Sequence, residues 1–219
     1  MESHFRPVPL AFASRLINHG PTVLVTSAAG TRRNVMAAAW SMPVKFEPPR
    51  IAIVIDKRTF THELVAASGA FGICVPGGEI SELTHAVGSE SGRDVDKFSR
   101  HGIQARPSEL LGVPIIEAGC LAWLECKLIP EPHTEAAYDT CFANVVAAAA
   151  DARAFADGRW ALTNQAVALQ SIHHLGGGNV SVRPTHLDSS RASLKDRVHR
   201  TLRGHDGKRQ GGETAALRR

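Results

Sequence analysis

The chain has 219 residues, enough for one large domain or one domain with an appendage. A chain of this length buries about 70% of its unfolded surface and needs no disulfide or zinc staple, and its 43% hydrophobic and 21% charged residues suit a globular protein. The net charge of +4 is uneven: residues 179–219 hold ten Lys/Arg against four Asp/Glu, which leaves −2 on the first 178 residues and argues against a nucleic-acid-binding body.

No apolar run approaches the ~20 residues of a membrane span, and the start, MESHFRPVPL, lacks the apolar core of a secretory signal. Cys74, Cys120, Cys126 and Cys141 form no CxxC pair, which disfavours zinc-ribbon and thioredoxin-type readings and leaves four reduced thiols. The expectation is a cytoplasmic chain.

Residues 22–28 (TVLVTSA) read as a strand ending at the turn signal Ala29-Gly30, and residues 33–42 (RNVMAAAWSM) as its return. The segment FEPPR is a turn, because Pro48-Pro49 does not fit inside a regular element. IAIVID at 51–56 suits a strand buried on both faces. A helix follows, with Thr59 or Thr61 as its cap, Glu63 in its first turn and Gly69 at its end. Residues 70–76 (AFGICVP) are a strand stopped by Pro76, and 79–87 a helix. GSESG at 88–92 is a polar loop that leads into a short helix closed by Gly102. Residues 121–130 and 139–151 are two long strands. About six strands separated by short helices predict a mainly β protein (α+β), an antiparallel barrel rather than a doubly wound sheet. The fold is expected to end near residue 178, with 179–219 a basic, disordered tail in which Leu194, Val198 and Leu202 could line one face of a short helix.

Several catalytic patterns fail. His62-Glu63-Leu64-Val65-Ala66 lacks the second histidine of HExxH, residues 176–181 lack the last glycine of GxGxxG, and neither GK[ST] nor GxSxG occurs. His173-His174 point in different directions on any regular element and make a poor metal pair.

Two loops keep an anion-binding pattern. Arg58, Thr59 and Thr61 precede or open one helix; Ser89, Ser91, Gly92 and Arg93 precede another, with Lys97 in its first turn. Helix N-termini offer free N–H groups to a phosphate, and arginine adds a bidentate fork. Ordinary capping explains each loop taken singly.

Residues 34–56 (NVMAAAWSMPVKFEPPRIAIVID), 58–63 (RTFTHE), 88–98 (GSESGRDVDKF) and 175–178 (LGGG) occur in an order that resembles the flavin reductase-like, FMN-binding split-barrel family, in particular its flavoredoxin-type branch. The resemblance spans about residues 8–178 and implies a split β-barrel that forms a homodimer, with FMN (or FAD) near the interface. It sets Asn34, Met36, Ala37, Ala38, Ala39 and Trp40 along the flavin ring and ribityl chain, and Arg58, Thr59, Thr61, Ser91 and Lys97 towards the phosphate. Ala37 and Ala39 stand where the family usually has hydroxyl residues, Cys74 where it usually has Asn, and Val180 near a usual aromatic. The implied activity is hydride transfer from NAD(P)H to flavin, then electron delivery to an acceptor such as a flavin-dependent monooxygenase. The alternatives are a non-enzymatic flavin or haem carrier or sensor, and an interaction protein that uses the basic tail on anionic partners. No acid or base is assigned; His62 and His85 are at most supporting residues.

Overall fold

The computed structural model describes residues 3–161, 166–176 and 179–182. Its strands are β1 (Phe5–Pro7), β2 (Val23–Ala29), β3 (Arg32–Ala38), β4 (Ser41–Lys45), β5 (Arg50–Val54), β6 (Ala70–Pro76), β7 (Arg106–Pro107), β8 (Pro114–Ile115), β9 (Cys120–Ile129), β10 (Thr140–Asp151), β11 (Phe155–Ala156), β12 (Arg159–Trp160), β13 (Ile172–Gly176) and β14 (Asn179–Val182). The α-helices are α1 (Leu10–Ala13), α2 (Phe60–Ser68), α3 (Ser81–Ser89), α4 (Lys97–Arg100) and α5 (Pro132–Tyr138).

Eight strands form one antiparallel sheet in the order β3-β2-β6-β9-β10-β5-β4, with β1 added beside β10. β3 and β4 stand at opposite ends of this path, yet only Ala39 and Trp40 separate them in the chain. Such a link spans at most about 11 Å, so the sheet must curl until its two ends nearly meet. No ladder joins β3 to β4, and a seam remains. This is a split barrel, as the sequence predicts.

The barrel's interior is the apolar content of its strands. Val25, Ile51, Ile53, Phe71, Ile73 and Leu124 are buried there, each worth about 1.5–3 kcal/mol relative to exposure. β6 is buried at every position, which is why its sequence reads as a continuous apolar run. The helices are short and placed by local signals. Thr59 Oγ1 accepts from His62 N at 3.2 Å and caps α2, and Gly69 ends it at φ 68°. α4 is capped by Asp96, whose carboxylate accepts from the N–H groups of Phe98 and Ser99.

The structure departs from the sequence pattern in three places. The strand predicted over 33–42 breaks after Ala38, because β3 pairs with β2 while Ser41 already pairs with Ile53 of β5 across the seam. The loop predicted at 88–92 begins later, since α3 continues through Ser89. Residues 179–182, placed in the tail by composition, form β14 and pair with β13. The rest of the basic segment, with the helix expected around Leu194–Leu202, lies outside the described residues.

Candidate functional site

A cleft of about 480 Å³ opens at the barrel seam. The end of β3 and the link after it supply one wall: Met36, Ala37, Ala38, Ala39 and Trp40. Thr84, His85, Gly88 and Ser89 of α3 form the facing wall, Val54 and Asp56 close one end, and Thr22 and His174 line the rest. Thr22 N donates to Ile172 O at 2.8 Å, which ties the start of β2 to β13 and brings His174 to the cleft.

Small residues make this opening. A Cβ on Gly88 would lie 3.1 Å from Ala37 Cβ, so α3 packs against β3 only because one side is glycine and the other alanine. The spacing of the two walls is held by Lys97. It is buried, and its Nζ donates to Val35 O at 2.9 Å and Val87 O at 2.7 Å, one residue behind Met36 and one before Gly88. Burial lowers the Lys97 pKa below the ordinary lysine value, partly offset by the Glu90 carboxylate.

At the cleft's end Asp56 faces Arg58. Arg58 Nη2 donates to Asp56 Oδ2 at 2.7 Å and its backbone N–H to Oδ1 at 2.8 Å. These hydrogen bonds, first among them the guanidinium's, hold the Asp56 pKa down to about 2. Arg58 is thus already partnered by a carboxylate.

Of the residues proposed from sequence, the structure brings Met36, Ala37, Ala38, Ala39 and Trp40 together on one wall. It places the others elsewhere. Asn34 is buried behind that wall, and its Nδ2 donates to Thr61 Oγ1 at 2.9 Å, also buried. Thr59 is occupied as the α2 cap, Ser91 Oγ accepts from Arg93 N at 3.2 Å, and Lys97 is the strut between the walls. Arg58, Thr59, Thr61, Ser91 and Lys97 do not line the cleft. A neighbouring, charged cleft of about 510 Å³ contains Arg32, Arg33, Arg93, Phe60 and Glu63. There Arg32 and Arg93 both pair with Glu63, at 2.6 and 3.4 Å. Thr22 and His174 are wall residues outside the motif segments, and Asp56 and Gly88 lie at the ends of two of those segments without having been singled out; each reaches the cleft from a separate stretch of chain.

The cleft suits a flat, polar-edged group. Three alanines keep one wall low, Trp40 belongs to the same wall, and Thr22 Oγ1 is buried with no hydrogen-bond partner among the described residues. A buried hydroxyl without a partner is rare in a finished fold and marks a position for a ligand or water.

With this geometry the class is defined: a split barrel with a cleft at its seam. The chain belongs to the flavin reductase like domain family, which matches residues 15–173. It is 54% identical over 178 residues to the uncharacterized protein YddH of Escherichia coli (strain K12), covering 80% of this chain and 93% of that one. An FMN-binding domain of a flavin reductases-like enzyme from Shewanella baltica OS155 superimposes with a TM-score of 0.82 at 39% identity, over 86% of this chain and 99% of that one. The flavoredoxin of Desulfovibrio vulgaris (Miyazaki F) shares the fold, with a TM-score of 0.68 at 22% identity over 80% and 92% of the two chains.

Proposed function

We propose that the chain is an FMN-dependent oxidoreductase that takes hydride from NAD(P)H and passes electrons to an acceptor or partner protein. The observation that carries this reading is the seam cleft, where Met36 to Trp40 form a continuous wall beside the unpartnered Thr22 hydroxyl. When bound, FMN supplies the redox centre, and the protein's part is to hold and shield it. Backbone groups of Ala37–Ala39 would meet the ring, Gly88 and Ala37 leave its space open, and Lys97 fixes the width of the slot. No side chain in the cleft is assigned as an acid or base.

The same reading makes the protein a homodimer. Trp40, Met42, Val44 and Phe46, in and beside β4, are 75%, 59%, 41% and 76% exposed, at the strand that ends the sheet path. A run of four large apolar side chains on an unpaired edge strand is a surface to be covered. It begins at Trp40, on the cleft wall, so a second copy docked there would also border the cofactor. Cytoplasmic residence is part of the proposal: all four cysteines are free and buried, and no helix among the described residues is long and apolar enough to cross a membrane.

One purification tests the proposal. The protein should take up FMN, and anaerobic NADH or NADPH should bleach its flavin absorbance. Uptake without bleaching would instead favour a flavin-binding electron carrier. Failure to take up flavin would overturn both readings.

A further inference from the structure

A second cleft, of about 540 Å³, lies between β1, β9, β10 and the segment around residues 106–117. It shares no lining residue with the seam cleft. At its base is Glu125, only 1% exposed. Its Oε1 accepts from Ser108 Oγ at 2.5 Å, from Leu110 N at 3.0 Å and from Leu111 N. Oε1 is therefore saturated by the loop it anchors, while Oε2 accepts no hydrogen bond from the described residues.

No cation among the described residues pairs with this carboxylate. Arg106, in the same cleft, donates instead to Glu117 Oε1 at 2.9 Å and lies over the Trp123 ring at 5.4 Å. The other buried carboxylate among the described residues, Asp151, has Arg153 at 2.6 Å. A carboxylate this enclosed, with one oxygen left open to the cleft, favours a positive group there over a neutral one. The space to receive one is present. Ala147 and Ala149, opposite Glu125 and Trp123 of β9, offer only small side chains to the cleft, and the β10 ladder is irregular between Val145 and Ala147. Glu109 and Glu117 add further negative charge against the single cation Arg106.

We propose that this cleft binds a small primary amine, with the ammonium on Glu125 Oε2 and an apolar body against Trp123, Ala147 and Ala149. One free oxygen suits a compact ammonium, since a guanidinium fork needs both oxygens of the carboxylate. A divalent ion lacks ligands, because no group of three or more His, Cys, Asp or Glu able to hold a metal exists among the described residues. The site is separate from the flavin reading and stands or falls without it.

The test is calorimetric titration of the full chain with benzylamine, its neutral counterpart benzyl alcohol, benzylguanidine and magnesium chloride. Benzylamine should bind at least tenfold more tightly than the alcohol or the guanidine, and magnesium should not displace it. Glu125→Gln keeps an oxygen for Ser108, Leu110 and Leu111, so it should fold, take up FMN as before, and lose benzylamine binding at least tenfold. Ala147→Leu, which fills the cleft and leaves the carboxylate in place, should lose it too and serves if Glu125→Gln does not fold. Equal binding of benzylamine and benzyl alcohol, no benzylamine binding, displacement by magnesium, or binding that survives both substitutions would each overturn the proposal.

Discussion

Asn34 and Thr61 are joined by one buried hydrogen bond, Nδ2 to Oγ1 at 2.9 Å, which ties the middle of β3 to the first turn of α2. The other side of the Asn34 amide faces Gly92, where any side chain would overlap Oδ1 and crowd Phe60. Thr61→Val keeps the shape and removes the acceptor. It should cost about 1–3 kcal/mol of stability, read by urea unfolding, because a buried N–H group loses its partner. FMN affinity should change less than about threefold, well under 1.4 kcal/mol, since Thr61 lies behind the cleft wall.

Gly88→Leu should close the slot. The new side chain would project from α3 at the point where even a Cβ comes within 3.1 Å of Ala37. Leucine favours a helix over glycine, so far-UV circular dichroism should be preserved. Fluorescence titration should show FMN binding weakened at least about tenfold, equal to 1.4 kcal/mol or more.

Ala39→Ser should strengthen FMN binding by about two- to tenfold, from one added hydrogen bond of about 0.5–1.5 kcal/mol. Ala37→Ser should gain less, because Gly88 crowds that position and Ala39 is exposed. Comparing the two dissociation constants checks this order.

Lys97→Met should strip the donor from Val35 O and Val87 O and cost about 1–3 kcal/mol per carbonyl left unpaired. It should also change the pH profile. Burial lowers the Lys97 pKa, so the folded chain holds that proton less tightly than the unfolded chain. Stability from this group therefore rises with pH between the lowered value and the ordinary 10.5, and that slope should vanish in the variant. Urea unfolding at intervals from pH 7 to 10.5 measures it.

Trp40→Glu combined with Phe46→Glu places two charges on the exposed β4 face. Light scattering should show the particle mass halved relative to the parent protein. FMN affinity should fall at the same time, since Trp40 belongs to both the face and the cleft wall.

Local chemistry made much of this fold readable. The Gly69 stop and the unbroken apolar run of β6 are properties of neighbouring residues and stand where the sequence places them, and of the two threonines offered as the α2 cap the structure uses Thr59. Met36 to Trp40 were singled out through the family resemblance rather than local chemistry, and they lie together in the cleft because all five come from one strand end and its link. The role of Lys97 was not readable. A lysine in the first turn of a short helix looks like an anion ligand, and only the approach of β3 and α3 from elsewhere buries it between two carbonyls. The break at Ala39-Trp40 is likewise invisible locally, since it is imposed by the partners β2 and β5 on either side. β14 was missed because Asn179–Val182 is four residues long and owes its form to β13.

The two-residue link between β3 and β4 carries a length constraint. Side chains alternate along β4, and Val54 N donates to Trp40 O at 3.0 Å, which sets the phase of that alternation against β5. Because β4 stays locked to β5, a residue added at Ala39-Trp40 would have to loop out beside the cleft, and one removed would draw the ends of β3 and β4 closer than the sheet now sets them. Either change would re-aim the cleft wall. Length variation in the link thus acts on the cofactor slot, whereas a residue added or lost in the turn at 46–49 shifts the register of β4 against β5 and acts on the outer face, so the two surfaces answer to two separate stretches of chain.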